Sequence, residues 1–249
     1  VATCTGTGAA HLVALAEAGR GGDVHLVYHG LDLARFGSPS EAPNYCGGGV
    51  ERDGTSPERS VRLLSVGRAV NKKGFDLLID ALAIVPKQFH WHWTHIGGGG
   101  LLADLKAQAH ERGIDDRITW LGVQEQRAVM AACRANDIFV LPCRIDDDGD
   151  RDGMPNVLME AQSQGLACLS TRVSAIPELI ENGRTGVLVE PEDVDALASA
   201  ILQLGGNPAY RGEIARAGEA RVRSEFDHRS GLRQLADLFE DAMAKQASQ

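Results

Sequence analysis

The chain contains no apolar run that approaches the roughly 18 residues of a membrane-spanning helix. It also lacks any Cys-x-x-Cys pair. Its five cysteines, Cys4, Cys46, Cys133, Cys143 and Cys168, are odd in number, so reduced thiols in a cytoplasmic setting are expected rather than a disulfide framework. Positive charge is in deficit: 25 Lys and Arg stand against 34 Asp and Glu, a net charge of -9. That excludes the broad basic face of a general nucleic-acid binder, but not a local basic pocket. Two catalytic signatures are missing as well. There is no Gly-x-x-x-x-Gly-Lys-Ser/Thr phosphate loop and no Gly-x-Ser-x-Gly nucleophile turn. No secretory signal is visible, and the chain begins at Val1 rather than Met, which points to a fragment.

What remains is the composition of an ordinary globular protein, 249 residues long, 43% hydrophobic and 24% charged. From residue 60 onward, short apolar runs alternate with longer amphipathic stretches. The runs lie at 61–66, 90–96, 117–121, 137–142, 166–170 and 186–189, with helical patterns at 74–85, 101–112, 124–135, 155–164, 176–182 and 192–204. This order predicts an α/β fold, a Rossmann-like, doubly wound parallel sheet covered by helices on both faces. Strands such as Leu63-Leu64-Ser65-Val66 and Phe139-Val140-Leu141 are nearly all apolar, as strands buried on both sides should be. Gly113 and Gly165 are placed to end helices, and Pro177 to begin one.

The ends read differently. Residues 1–29 give a strand, a helix over 11–18 and a second strand, too little to make a core alone. Residues 38–59, rich in Ser, Pro, Gly and charge, read as a linker or long surface loop. Residues 207–249 read as two helices, 208–226 and 228–245. The expected division is 1–29, a remnant of another domain; 30–59, a linker; 60–205, the main domain; and 206–249, C-terminal helices.

Chemistry-bearing residues gather where strands should end. Arg68 and Lys73 sit on a turn bounded by Gly67 and Gly74 after the first strand of the main domain. Glycine lets a phosphate approach the backbone, while Arg offers a bidentate fork and Lys a point charge. Taken alone, they also read as solvated loop cations. Gly97–Gly100 is either a plain strand-to-helix turn or a place where a ligand meets helix N–H groups. Asp152 precedes a helix and is either its cap or a ligand group. Glu160 lies roughly two turns further along that helix, among apolar neighbours, where a carboxylate needs a partner. Arg68, Gly98 and Asp152 all fall at the carboxyl edge of the sheet, where open α/β sheets bind ligands.

Two metal readings are weaker. Asp148, Asp150, Asp152 and Gly153 match the opening of a calcium loop, but Met159 stands where a bidentate glutamate is required. His90, His92 and His95 invite zinc, yet on a strand His95 faces away from the other two. A half-polar strand with Trp91 and Trp93 turned to the core accounts for them better.

The ordered set Ser65-Val66-Gly67-Arg68, Lys73-Gly74, Ile96-Gly97-Gly98-Gly99, Leu121-Gly122, Leu141-Pro142, Asp152-Gly153 through Glu160-Ala161, and Pro177-Glu178 with Asn182-Gly183 and Gly186 resembles a known family. It is similar to the C-terminal, donor-binding domain of retaining GT-B glycosyltransferases, of the group 1 type found in bacterial polysaccharide and lipopolysaccharide assembly. The likeness runs over about residues 24–245, with His29-Gly30-Leu31-Asp32 through Phe36 resembling the segment that leaves the N-terminal domain.

The resemblance implies one half of a GT-B fold and a nucleotide-diphosphate sugar (UDP-, GDP- or ADP-linked) as donor substrate, with no metal or other cofactor required. Arg68 and Lys73 would bind the diphosphate, and Asp152, where the family usually has glutamate, would stand near the donor sugar. Gly153, Met154 and Pro155 would offer backbone to sugar and phosphate. Glu160 would hold the ribose hydroxyls, Gly122 and Val123 would lie beside the base, and Gly98 and Gly99 would border the nucleotide. Ser174-Ala175 departs from the family's glycines. The implied partners are a sugar or lipid-linked acceptor and an N-terminal acceptor domain, with the full-length protein cytoplasmic and peripheral to the inner face of a membrane. Alternatives of the same architecture are a non-catalytic nucleotide-sugar-binding module, an epimerase and a phosphorylase, although nothing marks the pyridoxal lysine of the last. A glycoside hydrolase would place its two carboxylates across a sugar ring, which one helix carrying both does not suggest.

Overall fold

A computed structural model describes residues 2–15, 24–36 and 51–247. Its centre is a parallel six-stranded sheet built from β3 (Val61–Val66), β4 (Trp91–Ile96), β5 (Ile118–Trp120), β6 (Ile138–Leu141), β7 (Ala167–Thr171) and β8 (Val187–Val189). The spatial order is β5-β4-β3-β6-β7-β8. The chain therefore winds outward from β3 to one edge, returns to β6 and winds to the other edge. With right-handed crossovers, that reversal puts the crossover helices of the two halves on opposite faces.

On one face, α2 (Phe75–Ile84) packs against α3 (Leu102–Glu111) and α7 (Val194–Gly206). On the other, α5 (Asn156–Ser163) packs against α4 (Gln126–Ala135) and α8 (Pro208–Glu225). Burial on both faces explains why every residue of β6 and β7 is buried and why these strands read as unbroken apolar runs. The surface helix α4 buries Val129, Met130 and Cys133, a one-sided stripe at helical spacing. Gly113 and Gly165 follow α3 and α5 in the left-handed conformation expected of helix-ending glycines. The fourth helical pattern begins only at Asn156, and the fifth is cut short: α6 covers Ile176–Leu179 rather than 176–182. There the chain turns, because Thr185 Oγ1 accepts the Glu181 amide and Asn182 Oδ1 the Leu188 amide.

The N-terminal piece pairs β1 (Ala2–Thr3) with β2 (His25–Leu26) in parallel, joined by α1 (Gly6–Leu15). It meets the main sheet's helices where two chain segments run side by side: the Leu31 amide donates to Phe226 O at 2.7 Å, and the His228 amide to Leu31 O at 3.0 Å. Beyond that point α9 (His228–Ala247) forms the last helix. In the expected linker, residues 37–50 lie outside the described residues. Residues 51–59 are held against the main domain, where the Arg52 side chain pairs with Asp137 at 3.2 Å and the Arg52 carbonyl accepts from Arg211 at 2.8 Å.

Candidate donor-binding site

The winding reverses between β3 and β6, and the two strands share only the pairs Leu63↔Ile138 and Leu64↔Phe139. Past them the strands diverge. Buried hydroxyls bond the carbonyls at the end of β6: Ser65 Oγ donates to Val140 O and Ser170 Oγ to Leu141 O, each at 2.6 Å. In doubly wound sheets the carboxyl end of such a switch point is the crevice where ligands bind.

The loop after β3 carries Arg68 and then a single 3₁₀ turn, Asn71–Lys73. Its backbone is braced by the glycine turn that follows β4. The Ala69 amide donates to Gly98 O at 2.7 Å, and the Leu101 amide to Ala69 O at 3.1 Å. Gly97 has φ 150, and a Cβ there would sit 1.9 Å from Gly67 O. A Cβ on Gly99, at φ 144, would sit 2.5 Å from Ala69 O. The closest neighbour of Gly97 and Gly99 is the loop after β3, which they allow to lie flat on the turn.

Gly98 faces the loop after β5, where a Cβ on it would lie 3.4 Å from Val123 Cγ2. Val123 is 81% exposed, and Gly122 beside it is partly exposed. That leaves an apolar side chain open at the carboxyl edge of the sheet.

The loop after β6 is clipped to the 71–76 turn. Asn71 Nδ2 donates to Asp146 Oδ1 at 2.6 Å. Arg144 bonds the side chain of Asn71 and grips both carboxylate oxygens of Asp76, at 2.9 and 3.1 Å. Lys73 Nζ lies 2.7 Å from Asp152 Oδ2, and Lys72 Nζ lies 2.9 Å from Asp150 Oδ1. The hydrogen bond with Asp150 raises the Lys72 pKa, and the same bond lowers that of Asp150. The acidic loop, whose residues match only the opening of a calcium loop, commits Asp146, Asp150 and Asp152 to Asn71, Lys72 and Lys73. Among the described residues, no three His, Cys, Asp or Glu side chains gather as metal ligands. Cys143 Sγ donates to Asp152 Oδ2 at 3.6 Å, and burial pushes its thiol up to about 12, so it stays protonated.

Two expected site residues keep bonding capacity in reserve. Arg68 is exposed and makes no ion pair among the described residues, though its charge is felt at Lys72 and Asp150. Glu160 is half-buried, and burial raises its pKa. Among the described residues its carboxylate has no hydrogen-bond partner, an arrangement that is costly unless something else supplies donors. Between them Gly153 is exposed, while Met154 and Pro155 are buried at the mouth of α5. The Ala175 amide donates to Gly153 O at 3.3 Å. Ser174, where glycine was expected, holds φ 50, the left-handed backbone that glycine adopts freely.

Two features were not anticipated. Glu178 reaches from α6 to the N-terminal piece and accepts from Gly6 N, Thr7 N, Thr7 Oγ1 and Tyr28 Oη at 2.6 to 3.2 Å. Thr5, beside this contact, stands next to Gly153. The motif Pro177-Glu178 was visible in the sequence, but nothing there revealed its partner. His95, read as part of a half-polar strand, is fully buried among Phe75, Trp93 and Trp120 behind the Gly67 turn. His92 instead bonds Thr119 at 2.8 Å, so the three histidines do not converge.

Sheet order and the loops clipped together at the switch point are those of one half of a GT-B fold. Comparison with known proteins agrees. Residues 60–207 match the family described as Glycosyl transferases group 1, and the chain belongs to that family. It is 34% identical over 220 residues to the amylovoran biosynthesis glycosyltransferase AmsK of Erwinia amylovora, covering 84% of this chain and 53% of that one. Among solved structures, it superposes on sucrose-phosphate synthase of Thermosynechococcus elongatus with a TM-score of 0.79 at 22% identity, covering 98% of this chain and 58% of that one. It also superposes on Anabaena Alr3699/HepE in complex with UDP and glucose, with a TM-score of 0.74 at 21% identity, covering 97% and 63%. These structural likenesses establish the fold. The chain spans about half the length of the curated relatives it matches.

Proposed function

We propose that this chain binds a nucleotide-diphosphate sugar and, within the whole protein, transfers the sugar to an acceptor hydroxyl with retention of configuration, in the assembly of bacterial polysaccharide, lipopolysaccharide or a related glycoconjugate. The observation that carries this reading is the meeting, at one crevice, of a cationic loop from β3 and a carboxylate-bearing loop and helix from β6. Arg68 and Lys73 hold the diphosphate, Glu160 takes the ribose hydroxyls into its unpartnered carboxylate, and Asp152 faces the sugar. Gly98, Gly122 and Val123 flank the base, with Gly99 behind them supporting the loop. Gly153, Met154 and Pro155 lead into α5, whose N-terminal amides add partial positive charge. As the bond from the anomeric carbon to the diphosphate breaks, negative charge grows on the leaving oxygens. Fixed cations and helix dipole stabilise it there, the role a divalent ion plays in other sites. A UDP complex of HepE, a protein of the same fold, supports a nucleotide-sugar donor. Acceptor binding falls to the rest of the protein, which we place in the cytoplasm at the inner face of a membrane.

Thermal-shift measurements with UDP, GDP, ADP and their sugars test the reading. The cognate nucleoside diphosphate raises the melting temperature, with about 2.7 kcal/mol of added stability at a hundredfold excess over Kd. Arg68→Ala and Lys73→Ala abolish the rise. A rise that survives both changes contradicts the assignment.

A further inference from the structure

The ammonium assigned to the diphosphate is already neutralised. Asp152 Oδ2 sits 2.7 Å from Lys73 Nζ, and Asp152 Oδ1 sits 3.9 Å from Lys72 Nζ. All three side chains are largely out of solvent, 13% exposed for Lys73, 15% for Lys72 and 18% for Asp152, so salt and water screen the contact weakly. The clips from Asn71 to Asp146 and from Arg144 to Asp76 hold the two loops in this register. A diphosphate entering the crevice must therefore compete with Asp152 for Lys73.

The outcome of that competition depends on what the diphosphate carries. A bare nucleoside diphosphate takes the ammonium and leaves Asp152 as a mostly buried carboxylate beside a new anion. Losing a counter-ion and gaining a like charge are both unfavourable. A nucleotide sugar brings hydroxyl donors to the same place, and a carboxylate accepts from hydroxyls readily. The donor therefore supplies Asp152 with new partners for the one it removes, and the sugar-free diphosphate does not.

We propose that Asp152 is a specificity-determining residue that exchanges Lys73 for donor-sugar hydroxyls, and so weakens binding of the sugar-free nucleoside diphosphate relative to the nucleotide sugar. The site then favours the loaded donor and expels its own leaving group. This rests on the assignment of Arg68 and Lys73 to the diphosphate.

The test is calorimetric titration of the chain with inorganic pyrophosphate, with UDP against UDP-glucose, and with GDP against GDP-mannose. Wild type, Asp152→Asn and Lys73→Met are compared, with Asp152→Ala as the second variant should the asparagine not fold. Removing the carboxylate is expected to tighten pyrophosphate and the recognised nucleoside diphosphate by about threefold to tenfold, the scale set by freeing one partly buried cation. Preference for the nucleotide sugar over the diphosphate shrinks by at least the same factor. Lys73→Met weakens pyrophosphate in both the wild-type and the Asp152→Asn backgrounds. Folded Asp152 variants that bind pyrophosphate no tighter than wild type overturn the exchange while leaving the diphosphate assignment standing. A Lys73→Met variant with wild-type pyrophosphate affinity overturns the diphosphate assignment, and the exchange with it.

Discussion

The backbone amide of Gly6 donates to the carboxylate of Glu178 at 2.6 Å, across 172 residues of chain. The same carboxylate takes the Thr7 amide at 3.0 Å. An acid on α6 therefore caps the N-terminus of α1, doing for that helix what a local Ser or Asp does elsewhere. Glu178→Ala should speed hydrogen exchange at the Gly6 and Thr7 amides about tenfold or more, corresponding to about 1–2 kcal/mol for a charged cap. Glu178→Gln, which keeps an acceptor, should lose less. Tyr28, whose hydroxyl is pushed up to about 12 by burial and then by its bond to Glu178, should titrate closer to its ordinary value in Glu178→Ala. Unchanged exchange at both amides would show that α1 does not depend on this contact.

Gly97 lies against the backbone of Gly67, with no room for a Cβ between them. Gly97→Ala combines that clash with an unfavourable backbone conformation. We expect a loss of about 3 kcal/mol in chemical denaturation. Because the displaced segment leads into Arg68, nucleotide affinity should fall as well. Gly100, where an added Cβ would meet nothing within 4 Å, is the control, and Gly100→Ala should leave both quantities near wild type.

His95 gives the protein a pH dependence of definite sign. Burial lowers its folded pKa to about 4, against an ordinary 6.5, with the nearby Gly67 backbone opposing part of the fall. Neither ring nitrogen reaches a hydrogen-bond partner. Between those two values the unfolded chain binds the proton and the folded chain does not, so stability falls as pH drops from 6.5 towards 4. The full effect is about 3 kcal/mol. His95→Leu should flatten the difference in unfolding free energy between about pH 7 and about pH 4.5. An identical slope in wild type and variant would show that His95 does not set the pH dependence.

Much of this architecture was legible in the sequence, for a physical reason. Strands buried on both faces must be apolar throughout, so β3, β6 and β7 announce themselves, and the glycines after α3 and α5 mark where helices stop. Arg68, Gly98 and Asp152 could be placed at one edge because parallel strands all deliver their following loops to the same side. What stayed hidden depends on contacts between distant residues. The helix expected at 11–18 starts instead at Gly6, since Gly6-Thr7-Gly8 has poor intrinsic helix propensity and its cap comes from Glu178. Nothing local distinguishes Gly97 as a seat for a neighbouring loop from Gly97 as a door for a ligand. Nothing near Lys72 in the chain marks Asp150, 78 residues away, as its partner. His95 looked like one of three strand histidines until Phe75, Trp93 and Trp120 closed around it.

The central claim is that one crevice grips a diphosphate through Arg68 and Lys73 while Glu160 reads the ribose. Calorimetric comparison of the recognised nucleoside diphosphate with its 2′,3′-dideoxy counterpart, in wild type and in Glu160→Ala, tests it most directly. A carboxylate with no protein donor should give wild type about a tenfold or greater preference for the ribose form, and Glu160→Ala should bind both forms alike. If the variant keeps the wild-type preference, the ribose is held elsewhere, and the claim of a single crevice is contradicted.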